Sequence, residues 1–309
     1  MLIKILGSAA GGGFPQWNCA CDNCRRLRAG SFRGKARTQT QVAITQDGRS
    51  WFLLGASSDL RAQIEATPEL HPCDGVRQSP ISGAVLLNAD IDHVLGLLLL
   101  RELQPLRIYS TASVRRILRD DNSMFAMLQR VQNQAQWTDF VPREQFSLKH
   151  TDGGDSAVLC RALSLGNHYP GYVAQNRPSG LVAGESSLGL TVESLSGAKL
   201  AYMPAVPQID DALLEEIATA NVVLFDGTFW SDDELIRVQG SGQTARQMGH
   251  IPISGDEGSL SKLAGLSRPR KIYVHINNTN PVLDEASPQH RQVREAGWEI
   301  AEDGWQFEL

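Results

Sequence analysis

Ala84-Val-Leu-Leu-Asn-Ala-Asp-Ile-Asp-His93 is the stretch on which the fold turns. Val85 to Leu87 has the length and branching of a short buried strand. Asn88, Asp90, Asp92 and His93 then place four polar side chains within six residues. Behind them, Val94-Leu-Gly-Leu-Leu-Leu-Leu100 is apolar and helix-like. Polar groups gathered where a buried strand becomes a buried helix are costly to desolvate unless a metal or a hydrogen-bond network satisfies them. Two carboxylates and an imidazole at such a junction predict half of a metal site.

The segment resembles the signature loop of the metallo-β-lactamase superfamily, His-x-His-x-Asp-His, which occupies the same strand-to-helix junction. Here the pattern reads Asn88-x-Asp90-x-Asp92-His93, so the Asp-His end is kept and both leading histidines are replaced. In the superfamily the leading histidines hold a first metal, and the Asp-His pair with a late histidine holds a second. The resemblance therefore implies a chain that has lost much of the first position and kept the second. It also implies an α/β fold, the four-layer αββα sandwich, as a single domain over residues 1–309.

Working outward, strand-like runs fall at Leu2–Leu6, Gln41–Thr45, Trp51–Leu54, Ala84–Leu87, Arg107–Tyr109, Leu188–Val192, Leu200–Tyr202, Val222–Phe225, Ile272–Val274 and Trp305–Glu308. Asp47-Gly48 between the second and third is a hairpin signal. Helix-like stretches alternate with the later strands, among them Asp92–Leu103, Thr111–Leu118, Ile209–Thr219 and Ser287–Glu295. Two long loops stand out, Gly7–Pro15 and a second beginning at Asn176, and irregular loops of that length in compact domains are often functional.

Composition narrows the function classes. The 309 residues are 42% hydrophobic and 20% charged, which is ordinary for a globular protein. A formal charge of −5 argues against a nucleic-acid or anionic-membrane surface, both of which want basic patches. The N-terminal Met1-Leu-Ile-Lys-Ile-Leu6 reads as a strand rather than a signal peptide, and the Leu97–Leu100 run is too short to span a bilayer. The expected location is the cytoplasm.

Near the C-terminus, Lys271-Ile-Tyr-Val-His275 ends an apolar strand in a histidine, where the superfamily supplies its last metal-binding histidine. Asp92, His93 and His275 would form a 2-His-1-carboxylate set, the open-sided arrangement of non-haem Fe(II) oxygenases. Asp90 reads as a carboxylate outside the ligand set, an extra ligand or a base near the metal, and Asn88 as an orienting partner. The superfamily's bridging aspartate has its matching place at Ala205, which favours one active-site metal. Asp226, at the end of another strand, is expected to orient His275 or the substrate. His250 in Met248-Gly-His-Ile-Pro252 resembles a ribonuclease Z motif in which the histidine assists proton transfer, and His168 lies near the family's third histidine.

Cys19-Ala-Cys-Asp-Asn-Cys24 is the second strong signal. Three soft thiolates at this spacing favour tetrahedral zinc, and a closed thiolate site is structural. The PhnP-like phosphodiesterase branch closes a similar triplet with a histidine three residues after the last active-site histidine. That position is Asn278 here, leaving Asn278, His250 or a water as the fourth ligand. Cys73 and Cys160 read as simple buried thiols.

Phe225-Asp-Gly-Thr-Phe-Trp230 and Val274-His-Ile-Asn-Asn-Thr-Asn-Pro281, together with the words above, are similar to a family serving pyrroloquinoline quinone (PQQ) biosynthesis. That resemblance implies an Fe(II)-dependent hydroxylase acting, with oxygen, on the tyrosine ring of a dipeptide-like Glu-Tyr precursor, beside a structural Zn(II). It leaves open a carrier of PQQ or its precursor during export, a hydrolase of the same fold, a homodimer, and contact with other proteins of the pathway.

Overall fold

The computed structural model describes residues 1–73, 75–174 and 178–309; Asn176 and Arg177, at the start of the second long loop, lie outside them. Among the described residues the strands are β1 (Leu2–Gly7), β2 (Gln41–Thr45), β3 (Trp51–Leu54), β4 (Ile81–Val85), β5 (Leu106–Ser110), β6 (Ala135–Asp139), β7 (Gln145–Lys149), β8 (Asp155–Gly166), β9 (Ser187–Glu193), β10 (Lys199–Met203), β11 (Val222–Asp226), β12 (Arg270–Val274), β13 (Trp298–Ile300) and β14 (Gln306–Glu308). The chain forms two compact units: one of residues 1–6, 41–198 and 304–309, the other of residues 7–40 and 199–303.

The first unit carries a mixed sheet in the order β14-β1-β2-β3-β4-β5-β6. The β2–β3 hairpin is antiparallel with Val42 opposite Leu54 and Ile44 opposite Phe52. Its turn is organised by Asp47, whose Oδ1 accepts from the N–H groups of Arg49 and Ser50 at 2.8 Å each. From β3 to β6 the pairing is parallel. The same unit holds an antiparallel β7-β8-β9 ladder. Trp51, Ile81, Leu86, Leu97, Ile108, Val114, Leu118 and Phe125 pack in its core. Complete burial of one leucine such as Leu97 stabilises by about 1.5–3 kcal/mol.

Four strands escaped the sequence reading: β6, β7, β8 and β13. β6 (Ala-Gln-Trp-Thr-Asp) and β7 (Gln-Phe-Ser-Leu-Lys) are partly exposed, so little apolar signal marks them. The expected helix Asp92–Leu103 also needs correction. One α-turn, Ile91–Val94, gives way to a 3₁₀ segment, Leu95–Leu100. The cause is tertiary: the Gly96 N–H donates to the Ala56 carbonyl at 2.9 Å instead of within the helix. A Cβ on Gly96 would lie 2.2 Å from the Ser57 carbonyl oxygen, so only glycine permits this approach.

The second unit is a run of parallel strands, β10 to β13, joined by crossovers. Its helices begin where local chemistry dictates. Asp210 caps Asp211–Thr219 by accepting from the Leu213 N–H, and Ser287 caps Pro288–Glu295 by accepting from His290. Tyr273 and Trp298 stack across β12 and β13 with ring centres 4.1 Å apart. The Gly7–Pro15 loop is tied down rather than free: Ala9 bridges Gln39 and Ile276, and Phe14 bridges Arg37.

Candidate metal centres

In the first unit, Asn88, Asp90, Asp92 and His93 follow the C-terminal end of β4, the side of a parallel sheet where ligands are commonly held. Asn88 and His93 are buried, while Asp90 and Asp92 are half-buried. The Asn88 Oδ1 accepts from the Asp90 N–H at 3.1 Å, and its Nδ2 is 2.8 Å from the His93 Nδ1. The His93 backbone is anchored on both sides: its N–H donates to the Asp90 carbonyl and its own carbonyl accepts from Ala56 at 2.7 Å. Asp92 Oδ2 lies 3.8 Å from His93 Nε2. Sequence reading missed Tyr172, whose hydroxyl donates to the Ala89 carbonyl at 2.5 Å. Burial first, and then the Asp90 carboxylate, push its phenol up to about 12. His168 is exposed and joins no group of metal-ligating side chains among the described residues.

In the second unit, β11 and β12 are parallel neighbours with Asp226 opposite Val274, so Asp226 and His275 emerge together at their C-terminal ends. A Cβ on Gly227 would meet the Tyr273 Cβ at 2.8 Å, so glycine there lets the two strand ends approach. Asp226 is completely buried and accepts from the Val206 N–H (2.8 Å), the Thr228 N–H (3.0 Å) and hydroxyl (2.6 Å), and the His250 Nδ1–H (2.8 Å). Burial alone would raise its carboxyl, but His250 and the other donors outweigh that and hold it below the ordinary range.

This network assigns the histidine tautomers. Thr228 has one hydroxyl hydrogen, and Asp226 receives it. The contact of 2.8 Å between Thr228 Oγ1 and His275 Nδ1 must then run from the imidazole N–H to the hydroxyl oxygen. His250 likewise spends its Nδ1–H on Asp226. In their neutral forms both rings, 5.2 Å apart and inclined by 21°, therefore carry their lone pair on Nε2, the arrangement a metal ligand needs. Asp226, His250 and His275 are close enough to one another to hold an ion, yet donors already engage both Asp226 oxygens. Asp226 acts on His275 through Thr228, a residue the sequence reading passed over. His275 is also held at φ 56°, uncommon for a residue with a side chain and worth about 1–3 kcal/mol of strain. Neighbouring bonds hold it there, among them Ile276 N–H to the Ser8 carbonyl and Asn277 N–H to the Thr228 carbonyl, both 3.0 Å.

The same unit gathers Cys19, Cys21 and Cys24, the last buried in the first turn of the helix Asp22–Arg28. The Asn278 Nδ2 faces all three sulfurs at 3.1, 3.6 and 3.3 Å. Burial pushes the Cys21 thiol up to about 12. For Cys19 burial acts the same way but is outweighed by hydrogen bonds from Cys21, Cys24 and Asn278, which hold it below its ordinary value. Three sulfurs and an amide fit a tetrahedral zinc once the amide presents oxygen rather than nitrogen. His250, the alternative fourth ligand, groups with Asp226 and His275 rather than with the three cysteines. Cys160 is buried as expected, whereas Cys73 is exposed, because it lies in the loop before β4 with its thiol against Gln78.

The segment after His275 divides the work among its side chains. Asn280 Nδ2 donates to the Gly227 carbonyl at 2.9 Å, and Thr279 donates to buried Glu234 at 2.5 Å. Glu234 also accepts from the Trp230 N–H at 2.6 Å, and burial pushes its carboxyl up to about 7. Neither residue was singled out from sequence, although Thr279 and Asn280 sit inside a polar word at the end of a buried strand, which was the available signal.

Comparison with known proteins places this geometry. The beta-lactamase superfamily domain matches residues 50–276, and the chain has the metallo-β-lactamase fold. The coenzyme PQQ synthesis protein B of Methylococcus capsulatus is 40% identical over the full length of both chains, and that of Pseudomonas putida 41%. The crystal structure of Zn²⁺-bound PqqB from Methylobacterium extorquens superposes with a TM-score of 0.91 at 38% identity, covering 100% of both chains. A diphosphatase of the PhnP family shares the fold alone, with a TM-score of 0.65 at 19% identity over 100% of this chain and 97% of its own. The chain belongs to the coenzyme PQQ synthesis protein B family. Among the described residues no helix is long and apolar enough to cross a membrane.

Proposed function

We propose that this chain serves PQQ biosynthesis as a metal-dependent oxidoreductase that hydroxylates the tyrosine ring of a Glu-Tyr-derived precursor. The observation that carries the reading is the Asp226–Thr228–His275 relay, which leaves His275 with a lone pair on Nε2. Full-length similarity to PQQ synthesis proteins supplies the pathway. Asp92, His93 and His275 are proposed as the ligands of one Fe(II), a set that leaves positions open for substrate and oxygen. Iron, when bound there, would supply oxygen activation.

The protein's own groups then have distinct tasks. Asp226 and Thr228 hold His275 in one tautomer and one orientation. Asp90 is proposed to accept the proton or hydrogen bond of the substrate phenol, making the ring electron-rich. Cys19, Cys21, Cys24 and the oxygen of Asn278 are proposed to hold a zinc that ties the first loop to the segment after His275.

Incubating Fe(II)-loaded protein with a Glu-Tyr dipeptide, oxygen and a two-electron reductant such as ascorbate should yield a product heavier by one oxygen atom per hydroxylation, the second oxygen atom leaving as water. His275→Ala should abolish turnover and retain the cysteine-bound zinc. Normal hydroxylation by that variant would refute the ligand set.

A further inference from the structure

The two candidate ligand histidines are prepared in opposite ways. His275 donates from Nδ1 to Thr228 and so presents a lone pair at Nε2. His93 faces an amide instead of a hydroxyl. Asn88 is buried, its Oδ1 accepting from the Asp90 N–H at 3.1 Å and its Nδ2 lying 2.8 Å from His93 Nδ1. The opposite amide orientation would set an NH₂ group against the Asp90 N–H, two donors face to face. Asn88 therefore donates to His93, whose Nδ1 must carry a lone pair. In the neutral ring the proton therefore sits on Nε2.

We infer that Asn88 is a positioning residue that keeps His93 in the non-ligating Nε2–H tautomer until a divalent metal is bound. Metal binding through Nε2 then requires a half-turn of the Asn88 amide and transfer of the ring proton from Nε2 to Nδ1. No net proton is gained or lost. The turned amide accepts from Nδ1–H, and the Asp90 N–H gives up its bond to Asn88. Occupancy of the metal position is thereby coupled to the backbone of the loop that carries Asp90 and Asp92. An aspartate at position 88 can accept from both the Asp90 N–H and an Nδ1–H, so Asn88→Asp should prepare the ring as a ligand without any rearrangement.

This inference rests on the proposed ligand role of His93, and two measurements separate them. Nitrogen NMR of histidine-labelled protein, carrying its cysteine-bound zinc and no other metal, should show His93 protonated at Nε2 at about pH 8, where imidazole is ordinarily neutral. Asn88→Asp should move the proton to Nδ1 and tighten Co(II) binding about ten- to a hundredfold, the usual scale for a group that orients a metal ligand. An Nδ1–H tautomer in the wild type overturns the inference. So does tighter Co(II) binding in Asn88→Asp without a change of tautomer, because the added charge alone would then explain it. His93→Ala tests the other reading: Co(II) binding equal to wild type would remove His93 from the ligand set, whatever its tautomer.

Discussion

Glu234 makes the stability of this protein depend on pH in a direction opposite to most carboxylates. It is 6% exposed, accepts from Trp230 and Thr279, and has its carboxyl pushed up to about 7 by burial. A carboxyl raised on folding costs stability wherever the unfolded chain would already have ionised it. Its cost is absent below the unfolded value near 4.5, grows as pH rises, and is complete above about 7. At about 1.36 kcal/mol per pH unit, the interval corresponds to about 3 kcal/mol lost between pH 4.5 and 7. Glu234→Gln keeps the shape, accepts from Trp230 and can donate to Thr279, but cannot ionise. Urea denaturation of both proteins across this range, with zinc held constant, gives the difference directly, since the cysteine site titrates equally in both. The wild type should lose about 3 kcal/mol relative to the variant between pH 4.5 and 7. Parallel curves would show that folding does not raise the Glu234 carboxyl and that the argument from burial fails.

Other perturbations probe the remaining sites. Cys21→Ser should release zinc and lower the melting temperature, and an unchanged zinc content would exclude the cysteine centre. Asp90→Asn should retain iron while turnover falls about 10²–10⁴-fold, as expected for removal of a base; loss of iron would make Asp90 a ligand instead. Gly96→Ala sets a Cβ 2.2 Å from the Ser57 carbonyl and should destabilise by about 1–3 kcal/mol, measured by denaturation. A wild-type midpoint in that variant would mean the close approach of residues 56–57 and 96 is absent in solution.

Much of the chemistry was legible in short words. Asn88 to His93 and Cys19 to Cys24 each gather donors within one loop, and polar or thiol groups beside buried apolar runs are conspicuous without knowing the fold. The strand β12, with His275 directly after it, was visible for the same reason. The partly exposed strands β6 and β7 were not, because backbone pairing supports them more than an apolar pattern does. The helix expected over Asp92–Leu103 failed at Gly96, where a carbonyl from residue 56 competes with the helix's own acceptors.

Donor identity and local spacing belong to the sequence by itself: which loops could bind metal, and that thiolates and imidazoles would be the softer ligands there. Donor readiness belongs to the tertiary structure. Thr228 and His275 lie 47 residues apart, and Glu234 and Thr279 lie 45 apart, so no local pattern announces either contact. The physical reason is that a histidine's free lone pair and a carboxyl's charge are set by partners reached through space. Only the fold, by bringing the ends of β11 and β12 together, decides which nitrogen keeps its proton.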